Sequence, residues 1–250
     1  MHELNTNLSG DIRVVGVIGG MGPDATVDFM SKVIALTPAR CDQDHVRMIV
    51  DNNPKTPDRQ AAIKGDDTAV RAALVAMAKQ LQAAGAEFLV MPCNTAHAFV
   101  GDAIRAIDIP FVHIVEETVR EIECEYPQAQ QVGILATDAC LIAGVYQKSL
   151  QAAGKVPVLP GMDDQHECMQ LIGLIKAGDT SEDIGKRMVA LAERLIEAGA
   201  DVVIAGCTEI PLVLNNSDIK VPLISSTDVL ANRTVAIATG VVELPDTDRP

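Results

Sequence analysis

The chain has 250 residues, 48% of them hydrophobic and 22% charged, which is the balance of a packed globular protein and excludes intrinsic disorder. Its length suits one large domain or two lobes, with ample core in either case. A net charge of -14 repels phosphate backbones, and 2% aromatic residues with no Trp leave no ring platforms for bases, so nucleic acid is excluded as a partner.

The N-terminal MHELNTNLSGD is polar, and no apolar run approaches the length of a bilayer span, so a cytoplasmic protein with no membrane partner is expected. IRVVGVIGG from Ile12 reads as the first strand, and Pro23 after Gly22 suits the first turn of a helix. VRMIVD from Val46 reads as a second strand, followed by a polar loop, NNPKTPDRQ, with two prolines. Val70, Ala73, Leu74, Met77 and Leu81 recur at three and four residues and form one helix face, which stops at Gly85. FLVM from Phe88 forms a strand ending in Pro92-Cys93-Asn94-Thr95, and FVHI from Phe111 forms another before an acidic helix near Glu116.

The second half repeats this order. VGILAT from Val132 is a strand, a helix follows Asp138, and Ile184, Met188, Leu191 and Leu195 stripe a helix after Thr180, which with Asp183 resembles a capping box. DVVIAG is the next strand, with Cys207-Thr208-Glu209 at its end. AAGAEFLVMPCN from Ala83 aligns without gaps onto EAGADVVIAGCT from Glu197, pairing Gly85 with Gly199 and Cys93 with Cys207. Strands alternating with helices indicate parallel sheets, and the duplication indicates two pseudo-symmetric α/β lobes with a cleft between them. The expected boundaries are 1–115 and 116–225, with the crossover in the helix after Val115 and the C-terminal segment 226–250, including a helix from Thr227 to Ala238, returning to the first lobe.

Ligands of open α/β sheets sit beyond the carboxyl ends of the strands, where this reading places Cys93 and Cys207. A thiol at a strand end and helix start is expected to be biased toward thiolate, and two such thiols across a cleft could remove a proton from one face of a carbon and return it on the other. The other cysteines, at 41, 124, 140 and 168, show no zinc or redox spacing and read as free thiols without a chemical role, so no metal is expected. Gly20-x-Gly22-x-x-Ala25 in GGMGPDAT matches a dinucleotide fingerprint, but it equally describes a tight turn or a nest for an anionic small molecule, which ranks higher here. His97, four residues after Cys93, either approaches the thiol and helps ionise it or is a satisfied polar residue. Glu209 either orients an ammonium or caps a helix, and Thr26 holds its loop.

Through GGMGPDAT, NNPKTPDR, MPCNTAH, KAG and GCTEIPL, in that order, the sequence resembles the aspartate/glutamate racemase superfamily, and within it the aspartate racemase branch. The resemblance runs from about Val14 to Ala238 and implies a cofactor-independent, homodimeric enzyme that interconverts L- and D-aspartate or glutamate. It makes Cys93 and Cys207 the acid/base pair and assigns the α-carboxylate and amino group to Cys93-Asn94-Thr95 and Thr208, with the Met21-Gly22 turn closing that side. Arg59 and Lys176 would recognise the side-chain carboxylate. Arg59 suits this as a bidentate guanidinium on a proline-braced loop, whereas Lys176 could also be an ordinary cation at a helix C-terminus. Side-chain selectivity is expected to involve Asp163 to Cys168. Maleate isomerisation by covalent addition of one cysteine and silent binding of acidic amino acids are the alternatives.

Overall fold

The same βα order is built twice, around two four-stranded sheets in which every pairing is parallel. The structure is a computed structural model that describes residues 12–245; the polar N-terminal segment and the last five residues of the returning C-terminal segment lie outside the described residues.

The first sheet is made by β1 (Val15–Gly19), β2 (Met48–Asn52), β3 (Phe88–Val90) and β4 (Phe111–Val112), in the order β2-β1-β3-β4. Between these strands lie α1 (Pro23–Leu36), α2 (Arg59–Lys64), α3 (Thr68–Ala83) and α4 (Gly101–Arg105), and α5 (Ile114–Glu125) follows β4. The second sheet takes β5 (Gln131–Leu135), β6 (Val156–Val158), β7 (Val202–Ala205) and β8 (Leu223–Ser225) in the matching order β6-β5-β7-β8. Its helices are α6 (Asp138–Ala143), α7 (Val145–Ala152), α8 (Met162–Lys176) and α9 (Glu182–Glu197), with α10 (Ser226–Ala238) after β8.

The duplication extends to single packing contacts. Val15 is level with Phe88 in one sheet and Val132 with Val202 in the other, so β1 corresponds to β5 and β3 to β7. A Cβ on Gly16 would lie 2.4 Å from Leu89, 2.8 Å from Ala86 and 3.2 Å from Leu81. On Gly133 it would meet Val203 at 3.2 Å, Ala200 at 3.1 Å and Leu195 at 3.2 Å, the counterparts of the same three residues. A glycine is needed in each lobe because the helix before the central strand presses directly onto the first strand.

One apolar core lies between the lobes and draws on both sheets, α1, α5, α7 and α10, while separate cores fill the outer face of each sheet. Helix α10 lies against α1 and α5, which are elements of the first half of the chain. Lys32 of α1 pairs with Asp228 at 2.7 Å, Arg233 pairs with Glu117 of α5 at 3.2 Å, and the Arg13 guanidinium donates to the Ile237 carbonyl at 2.6 Å.

Several local expectations differ from the structure. FVHI is a strand for two residues only, because His113 already serves as N-cap of α5. The Thr180–Asp183 capping box is absent: α9 begins after Ser181, whose amide donates to Asp179 instead. The loop NNPKTPDRQ contains the start of α2, capped by Asp58 accepting from the Gln60 amide at 2.8 Å. Of the four cysteines without an assigned role, Cys140 and Cys168 are buried, whereas Cys41 and Cys124 are exposed.

Candidate active site

The first turn of the site follows from one glycine. Gly20 has φ +87°, and a Cβ there would lie 2.3–2.6 Å from backbone atoms of Asn53, so only glycine lets the β1–α1 turn close onto the loop after β2. Thr26 braces that turn, accepting from the Gly20 amide at 2.9 Å and donating to the Gly22 carbonyl at 3.0 Å. The loop it closes on carries Arg59, whose guanidinium donates to the carbonyls of Thr56 and Pro57 at 3.2 and 3.0 Å. Gln60, the next residue, accepts from the Ala139 amide of α6 at 2.9 Å and so ties this loop to the second lobe.

Cys93 and Cys207 lie just past the carboxyl ends of β3 and β7, and both line one cavity of about 30 Å3 between the lobes. Met21, Arg59, Asn94, Thr95, Lys176, Thr208 and Glu209 line it too. A second cavity of about 180 Å3 adjoins it, includes Gly22 and shares Arg59, Lys176 and Glu209, so these three side chains form the wall between the two.

The electrostatics of the thiols differ from the sequence expectation. Short 3-10 turns, Thr95–Phe99 and Ile210–Leu212, follow the cysteines in place of α-helices, so little macrodipole acts on either sulfur. Burial instead pushes the Cys93 thiol above its ordinary range, with Arg59, the Ala96 amide and Lys176 pulling it back. Cys207 is pushed further up, by burial first and then by Glu209, against the pull of Lys176. The Cys207 thiol donates to Glu209 Oε2 at 2.9 Å. Glu209 Oε1 is buried without a hydrogen-bond partner, and Lys176 Nζ approaches it to 3.9 Å. Burial opposes the charge on Lys176, but the anionic forms of Cys207, Glu209 and Cys93 outweigh it and raise that pKa.

Two open alternatives are narrowed and one expectation needs correction. The His97 ring does not serve the Cys93 thiol: Nδ1 lies 2.8 Å from the Cys93 carbonyl oxygen and Nε2 accepts from the Ile114 amide at 3.3 Å, which occupies both nitrogens. Burial, and then His113, hold its pKa well below the usual imidazole range. The Glu209 side chain makes no cap hydrogen bond to the turn it precedes. The stretch Asp163 to Cys168 does not reach the cavity; Gln165 instead donates to Ala136 and Asp138.

Asp58, Gln60 and Thr137 also line the cavity and were not singled out from the sequence. Thr137 stands where the repeat places Gly20, and its hydroxyl meets that of Thr95 at 2.8 Å. Extending the duplication back from the cysteine strands to β1 and β5 would have found it. No group of three or more His, Cys, Asp or Glu among the described residues is placed to hold a metal, and none of the described helices is long and apolar enough to cross a membrane.

The Asp/Glu/Hydantoin racemase family model matches residues 18–234. The broad specificity amino-acid racemase RacX of Bacillus subtilis is 32% identical over 227 residues, which cover 89% of this chain and 97% of the relative. The structure of Picrophilus torridus aspartate racemase superposes with a TM-score of 0.78 at 28% identity, covering 91% of this chain and 94% of that one. Glutamate racemase RacE1 of Bacillus anthracis shares the fold, with a TM-score of 0.68 at 20% identity over 95% of this chain and 85% of that one.

Proposed function

This chain belongs to the Asp/Glu/Hydantoin racemase family, and from that premise we propose that it racemises acidic amino acids, aspartate first, by two-base proton transfer between Cys93 and Cys207. One observation carries the reading: two thiols at equivalent strand ends of duplicated lobes line a single cavity that also contains Arg59 and Lys176. No other pair of cysteines combines the repeat with a common cavity.

In the proposed reaction one cysteine waits as thiolate and the other as thiol. The thiolate accepts the α-proton from one face, the electron pair left on Cα is delocalised into the α-carboxylate, and the opposite thiol protonates the other face. The two sulfurs then hold exchanged protonation states. Donors around the carboxylate, from Asn94, Thr95 and Thr208, would stabilise the charge that develops there. Cys93 is the better resting thiolate, since Arg59 pulls its pKa back while Glu209 accepts from the Cys207 thiol and keeps its proton; Lys176 acts on both sulfurs. Each sulfur would serve one enantiomer.

The cavity of about 30 Å3 is small for an amino acid, and a shift of the Arg59–Lys176–Glu209 wall would join it to the neighbouring one. The wall sets two cations where they could meet the side-chain carboxylate, and Glu209 Oε1, buried without a hydrogen bond and 3.9 Å from Lys176 Nζ, is suited to the substrate ammonium. A broader substrate range is the second reading, supported by the name of the Bacillus subtilis relative and by the carboxylate of Glu209 beside Lys176.

The test is racemisation in deuterium oxide across a panel of L- and D-amino acids, with Cys93→Ala and Cys207→Ala alongside. Product enantiomer carrying one solvent deuterium at Cα, and loss of turnover in both variants, is the expected result. Protium retained in the product, or full turnover without either thiol, overturns the mechanism.

A further inference from the structure

Behind the two cysteine turns runs a chain of buried hydrogen bonds whose direction can be read from its end. The Ala205 carbonyl, at the tip of β7, can only accept, so the Ser226 hydroxyl 2.9 Å away must donate to it. That leaves the Ser226 oxygen to accept from the Asn94 amide nitrogen at 2.9 Å. The Asn94 carbonyl oxygen is thereby turned the other way, where the Tyr146 hydroxyl donates to it at 2.6 Å. Tyr146 and Ser226 are fully buried, and Asn94 is 2% exposed. With its oxygen engaged and one N–H spent on Ser226, the Asn94 side chain can offer the cavity only its second N–H.

The chain also spans the halves of the molecule. Asn94 follows Cys93 directly, Ala205 precedes Cys207 by two residues, and Ser226 opens α10. Between Ala205 and Cys207 stands Gly206, where a Cβ would lie 3.1 Å from the Tyr146 ring. Tyr146 therefore touches both cysteine turns, one through its hydroxyl and the other through its ring edge. Burial, and then Cys140, push its phenol above the ordinary range, so it keeps the proton it donates.

We propose that Tyr146 and Ser226 are positioning residues of this site: their hydroxyls lock the Asn94 amide with an N–H toward the substrate carboxylate and hold the turns carrying Cys93 and Cys207 in register across the cleft. The proposal rests on the two-thiol reading of the cavity. Without the Tyr146 hydroxyl the Asn94 oxygen loses its partner, the amide is free to turn, and an acceptor can then face the carboxylate where a donor is needed.

Tyr146→Phe keeps the ring against Gly206 and removes only the hydroxyl; Ser226→Ala removes the middle link and serves as the independent second variant. In deuterium oxide, starting from a single enantiomer, two quantities are measured: the rate of product formation and the deuterium acquired by unreacted substrate. Inversion is expected to fall about tenfold to a hundredfold, the scale of a small misplacement of reacting groups. Deuterium in the unreacted enantiomer should rise relative to product, because a misaligned second thiol lets the first return a solvent-exchanged proton to the same face. A loss of folded enzyme alone lowers both quantities together. Ratios equal to that of the unaltered enzyme in both variants overturn the proposal, whatever the rates. Cys93→Ala and Cys207→Ala are run in the same assay: if they retain full turnover, the two-thiol reading itself fails, and if they abolish it while Tyr146→Phe and Ser226→Ala keep the original ratio, only the positioning role fails.

Discussion

The Cys207 thiol donates to Glu209 Oε2 at 2.9 Å, whereas Cys93 has Thr95 at the same step along its turn, whose hydroxyl shares a hydrogen bond with that of Thr137 at 2.8 Å. The duplicated lobes are thus chemically unequal where the proton is held. A carboxylate that accepts from the thiol and repels the thiolate holds the proton on Cys207, while Cys93 has the Arg59 cation as the stabilising neighbour that Cys207 lacks.

Glu209→Gln removes the negative charge and leaves a side chain of the same size. The Cys207 thiol should then ionise at lower pH, because one of the causes raising it is gone. Alkylation by iodoacetamide, followed site by site by mass spectrometry at mildly alkaline pH, should accelerate several-fold at Cys207 and change less at Cys93. An unchanged or slower rate at Cys207 would show that the carboxylate does not control this proton.

Arg59→Leu should cost aspartate about tenfold to a hundredfold in kcat/KM, the scale of a lost charge-assisted hydrogen-bonded pair. Alanine, without a distal carboxylate, should lose much less. Equal losses for both substrates would place Arg59 in support of the loop, where it already donates to Thr56 and Pro57.

The alkaline limb of stability should be steep. Burial, and then Cys93, raise the Cys140 thiol from 9.0 to about 12; burial, and then Asp138 and Glu167, do the same to Cys168. A folded-state pKa above the unfolded one means that the unfolded chain gives up these protons first. Their contribution is therefore complete below pH 9 and is lost progressively as pH rises toward about 12. Urea unfolding from pH 8 to pH 11 should show this decline, and Cys140→Ala should flatten it. The same slope in that variant would refute the assignment.

Gly20→Ala and Gly85→Ala separate two costs of replacing glycine. Both residues have positive φ, +87° and +96°, but a Cβ at Gly85 meets nothing within 4 Å whereas one at Gly20 strikes the Asn53 backbone. Gly85→Ala should cost about 1 kcal/mol, from conformation alone. Gly20→Ala should cost more by about 1–3 kcal/mol of overpacking and should also impair catalysis, since the displaced loop carries Arg59. Equal losses of stability would mean that the loop gives way freely.

Period and repetition are local properties, so the sequence alone determined the alternation of strands and helices, the parallel sheets, and the equivalence of Cys93 with Cys207. Short, proline-bearing β6 and the six-residue α2 carry too few residues for a period to show, and neither was legible. Gathering Arg59, Lys176 and Glu209 into one wall joins residues far apart in the chain, and the hydrogen bonds from Tyr146 through Asn94 and Ser226 to Ala205 include one between residues 132 positions apart, which no local pattern encodes. Protonation was likewise decided by the tertiary structure. Strand-end placement pointed to ready thiolates, but ionisation depends on how much water and which charges surround a sulfur, and burial in the closed cleft beside Glu209 shifts both thiols the other way.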